Sequence, residues 1–97
     1  MESLRRLPWT SDDGKDAFVA PGDGIVNHMA DALEAELVET AKADAERARS
    51  LAEDPKASAV EMRVALRFLA HSLDDTAMVA DLRAERLPSL DSEEAAL

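Results

Sequence analysis

Ninety-seven residues, 46% of them hydrophobic, are enough for one folded domain and too apolar for a disordered chain. The absence of cysteine excludes disulfides and thiolate metal sites. A net charge of −10 on so short a chain repels nucleic-acid phosphates and anionic membranes, which argues against direct binding to either.

Residues 1–22 do not read as helix, because Pro8, Gly14, Pro21 and Gly22 interrupt them. Ser11-Asp12-Asp13-Gly14 is a turn signal between two flanks, Leu7–Thr10 and Ala17–Ala20. The expectation is an extended arm or a short β-hairpin, with Trp9 and Phe18 leaning on whatever follows, since an isolated hairpin is marginal in water. No secretory h-region is legible in the opening residues, and no apolar run reaches membrane-spanning length, so a cytoplasmic location is expected.

The first helix is expected over residues 24–53, with Asp23 as its N-cap. Asp31, Glu34, Glu36 and Glu39 occupy its first half and Lys42, Arg47 and Arg49 its second, the order the helix dipole favours. Asp54-Pro55 ends it, because a residue before proline is pushed out of the α region. Ser58-Ala59-Val60-Glu61 has the pattern of a capping box, and the second helix is expected over 59–87, stopping at Pro88. A link this short makes the helices antiparallel neighbours, with His71 roughly opposite Ala41. The hairpin domain then spans 23–88, and the acidic segment 89–97 is expected to be a disordered tail.

Apolar residues recur at spacings of 3 and 4. On the second helix these are Met62, Leu66, Leu69, Leu73, Ala77, Ala80, Ala84 and Leu87, a coiled-coil-like seam. On the first they are Val26, Ala30, Leu33, Leu37, Ala41, Ala48 and Leu51, with Asp44 breaking the pattern. Val60, Val64, Phe68, Val79 and Leu82 fall off the second helix's seam on another apolar flank. The expected fold is an all-α, antiparallel two-helix hairpin with a short N-terminal arm, dimerising into a four-helix bundle that covers this flank.

Leu7-Pro8-Trp9, Gly14-Lys15, Met29-Ala30-Asp31, Asp54-Pro55-Lys56-Ala57-Ser58 and Arg86-Leu87-Pro88 give the chain a further feature. It resembles a group of small, uncharacterised acidic actinobacterial proteins in which an LPW arm and a GK turn precede two helices. The resemblance implies that arm and hairpin form one unit, and it brings no activity with it.

Candidate site residues divide by chemistry. Trp9, Phe18, Val64, Phe68 and Val79 are the apolar anchors expected at an interface with a second copy or another protein chain. Glu34, Glu36 and Glu39 form an acidic array that could dock a basic surface, so a nucleic-acid mimic, acting as inhibitor or antitoxin, is an alternative function. His71 with Asp74 and Asp75 has the i, i+3, i+4 spacing of a weak metal site, a third reading. No nucleophile elbow, P-loop or dinucleotide fingerprint is present, and all three glycines precede the first helix. The expectation is a non-enzymatic interaction module, without cofactor, serving as an accessory or regulatory subunit.

Overall fold

The computed structural model describes residues 3–87, so the expectation for the segment 89–97 lies outside the described residues. Two strands, β1 (Arg5–Thr10) and β2 (Asp16–Val19), are followed by two helices, α1 (Ile25–Glu53) and α2 (Ala59–Glu85). No helix among the described residues is long and apolar enough to cross a membrane.

The arm is a β-hairpin. Its strands are antiparallel, with Arg5 opposite Val19, Arg6 opposite Phe18 and Thr10 opposite Asp16. The ladder is irregular between Arg6 and Thr10, where Pro8 has no N–H to give it. At the turn, Gly14 N–H donates to Ser11 O at 2.9 Å and Ser11 N–H to Lys15 O at 2.8 Å. Gly14 carries a φ of 80°, the left-handed region that glycine enters without steric cost.

Gly24 is the N-cap of α1, with no side chain serving the first amides, so Asp23 does not take that role. Asp54 ends the helix in extended conformation before Pro55, and its carboxylate accepts from Lys56 N–H at 2.8 Å to tighten the link. The capping box of α2 is complete: Glu61 N–H donates to Ser58 Oγ at 3.0 Å, and Ser58 N–H to Glu61 Oε1 at 3.2 Å.

α1 packs largely as the periodicity predicts, with Ala30 buried and Leu37, Ala41, Ala48 and Leu51 half-buried, but its other buried residues, Asn27 and Glu34, lie one position past Val26 and Leu33 of the expected seam. α2 does not follow its periodicity. Its inward face carries Ala65, Ser72, Val79 and Leu82, while Leu66 and Leu73 are 63% and 68% exposed. The helix is therefore rotated from the expected seam, and the core is small. The physical reason lies in polar residues that the apolar spacing skips. Asp44, half-buried in the α1 seam, accepts a hydrogen bond from Ser72 Oγ, so Ser72 must face inward and Leu73 turns away. The same contact sets the register, placing Ser72 level with Asp44, about one turn from the expected pairing of His71 with Ala41.

Candidate interaction surface

Three polar residues occupy the inner face of α1, and each has a specific partner. Asn27 donates through Nδ2 to Ala20 O at 3.0 Å, which holds the strand exit against the helix. Asp44 receives Ser72. Glu34 is 1% exposed and is the centre of a charged cluster at the open end of the hairpin.

That cluster ties all three parts of the fold together. Arg5, at the start of β1 and itself buried, donates from Nη2 to Asp31 at 2.7 Å and to Glu34 Oε2 at 3.1 Å. Its Nη1 donates to the backbone oxygen and Oδ1 of Asn27 at 3.2 and 3.1 Å. From the end of α2, Arg86 closes a two-pronged pair on Glu34, at 2.9 and 3.1 Å. Arg83 adds a longer contact of 3.5 Å. Beside the cluster, Arg6 makes a second two-pronged pair with Glu85, at 3.1 and 2.7 Å. Burial pushes the Glu34 carboxyl up, but hydrogen bonds from Arg86 and Arg5 outweigh it and hold the group below the usual range. Planar guanidinium forks suit this work because each can bridge two carboxylate oxygens.

The cluster was missed by apolar spacing, though a signal existed. Asn27 and Glu34 lie seven residues apart, on the stripe that continues to Ala41 and Ala48. Polar residues at seam positions demand buried partners, and the arginines at Arg5 and Arg86 supply them.

The expected site residues fall in several places. Val79 is 1% exposed and belongs to the core between the helices, so it is not an exposed anchor. Glu34 is buried, so it is not part of a solvated acidic array; Glu36 and Glu39 are exposed, and Glu39 pairs with Lys42 at 3.1 Å. Leu7, rather than Phe18, anchors the arm: Leu7 is buried, Trp9 is half-buried and Phe18 stays exposed. His71 meets Asp75 at 3.5 Å, but no group of three metal-ligating side chains is gathered among the described residues.

Two apolar flanks remain open on α2. On one, Leu66 and Leu73 stand beside alanines of α1, and a groove of about 540 Å³ runs between Leu69, Leu73, Val38, Ala41 and Ala45. It continues toward the link as a smaller hollow lined by Ala48, Ala52, Met62 and Leu66. On the other flank, Val64 and Phe68 are 43% and 52% exposed and line a groove with Leu51 and Arg47. The molecule is a helical hairpin clamped by ions at its open end, with an apolar groove on each face. Comparison with known protein families, curated proteins and solved structures finds no match.

Proposed function

We propose that this chain is a non-enzymatic interaction module, a helical hairpin that associates through its apolar faces into a four-helix bundle and serves as an accessory or regulatory subunit. The observation that carries the reading is the position of α2. In its first half the small Ala65 and Ser72 face α1, and the larger Leu66, Leu73, Val64 and Phe68 stand exposed on both flanks. Fully burying one such side chain stabilises a complex by roughly 1.5–3 kcal/mol, so these residues gain most when another chain covers them. Exposed apolar grooves of this kind receive helices from a second chain.

Light scattering at tens of micromolar protein tests the reading. The expected species is a dimer or larger. A strict monomer would overturn self-association, and a monomer that also fails to bind a dye for exposed apolar surface would overturn the interaction reading as a whole.

A further inference from the structure

The hairpin's own register decides how two copies fit. In a bundle whose two-fold axis runs along the helices, symmetry leaves height unchanged. Each α1 residue then meets, on the second copy's α2, the residue it already stands level with in its own hairpin. Ser72 on Asp44 fixes those levels, and Leu51 beside Ala65 in one groove agrees with them.

The face with Leu66 and Leu73 satisfies this geometry in shape and in charge. Its α2 edge is a ridge of Met62, Leu66 and Leu73, while its α1 edge is a trough of Ala41, Ala45, Ala48 and Ala52. Stacking α1 on the second copy's α2 lays ridge into trough twice, once on each side of the axis. Each of these residues is followed in sequence by one turned a further 100° round the helix, toward the outer rim, and those rim residues are mostly charged. Lys42 falls level with Asp74 of the second copy, and Glu53 with Arg63. Glu46 lies one turn from Arg67. Arg49 comes level with Arg67, and Glu46 and Glu53 flank it on its own helix. Area is sufficient as well: two helices of this length present roughly 800 Å² to a partner, the share each side contributes to a standard stable interface.

We propose that the Leu66–Leu73 face takes a second copy of this chain, α1 on α2, in the register that sets Lys42 against Asp74 and Glu53 against Arg63. The proposal rests on the self-association reading and adds the face, the pairing and the register. It leaves the Val64–Phe68 groove on the outside of the dimer.

The absence of cysteine makes thiol cross-linking a clean test. Lys42→Cys and Asp74→Cys are prepared separately, one carrying a size tag, mixed at dimer-forming concentration and treated with a short bis-maleimide. The expected product is the mixed 42–74 dimer, in excess of either like-with-like dimer. Predominant 42–42 or 74–74 products would overturn the pairing, since they place like helices together. A dimer by light scattering that gives no 42–74 product would overturn the face while leaving self-association standing. A monomer by light scattering would overturn both. As a second measurement, Leu73→Glu should give a monomer with unchanged helical circular dichroism, because Leu73 makes little contact within one copy; a persistent dimer would overturn the face.

Discussion

Arg86 Nη2 donates to Glu34 Oε1 at 2.9 Å, joining the last turn of the hairpin's second helix to the first helix 52 residues earlier in the chain. Arg5 donates to the other oxygen of the same carboxylate. One glutamate therefore holds the arm, α1 and α2 at a single point. A five-residue link, 54–58, closes the opposite end of the hairpin, and at the open end this cluster does the equivalent work without a covalent connection.

Glu34→Ala should be strongly destabilising. Removing one member of a buried ionic cluster leaves uncompensated charge, at a cost of about 3–5 kcal/mol in buried pairs. Arg86 is only partly buried and Arg5 retains Asp31 and Asn27, so the loss should fall near the lower end, about 3 kcal/mol. Glu36→Ala and Glu39→Ala, at exposed positions, should each stay within about 0.5 kcal/mol. Urea unfolding of the three variants checks this, and equal losses would contradict the assigned role of Glu34.

The same carboxylate gives stability a pH dependence. Its folded pKa lies below the ordinary value of about 4.5, so the folded state binds the proton less readily than the unfolded chain. Its contribution is complete above that ordinary value and is lost as pH falls through the lower, folded one. Glu85, held down by Arg6, acts in the same direction from an exposed position. Relative to the native chain, Glu34→Gln should have a flatter acid limb and a similar slope close to neutral pH. Thermal melts from pH 7 to pH 3 measure it.

Local chemistry was well written in the sequence, and side-chain phase was not. The proline at Pro55, the Ser58–Glu61 box and the turn at Gly14 act through neighbours a few residues away, so their signals are complete within a short stretch. The α1 seam was also legible, because its apolar residues do face the core. α2 failed because two stripes compete on it, and hydrophobicity alone prefers Leu66 and Leu73 to Ala65 and Ser72. The choice falls the other way through contacts between distant residues, Ser72 with Asp44 and Arg86 with Glu34. The interaction site inherits that error: Val79 moves inward, and two leucines assigned to the core move out.

Ser58→Ala tests the local reading by itself. It removes the acceptor for Glu61 N–H and leaves the Glu61 side chain with half of a reciprocal pair. The expected loss is about 1 kcal/mol, the usual cost of replacing a serine N-cap. Because the link is exposed and far from the ionic cluster, this loss should add to that of Glu34→Ala within about 0.5 kcal/mol. Denaturant melts of the single and double variants decide it.

The rotation of α2 makes the sharpest distinction between residues of the same type. Leu82 is 1% exposed and Leu73 is 68% exposed, though both are leucines on one helix. Leu82→Ala should cost about 3 kcal/mol in unfolding at any protein concentration, because the cavity it leaves lies inside one hairpin. Leu73→Ala should cost little at low concentration, where single hairpins prevail, and progressively more as concentration rises, because the area it removes stabilises association. Had the helix packed on its leucine stripe, the order would reverse: Leu73→Ala would be costly and independent of concentration, and Leu82→Ala nearly silent. Melting both variants across a hundredfold range of protein concentration separates the two arrangements, and it also separates residues that fold the chain from residues that join it to another.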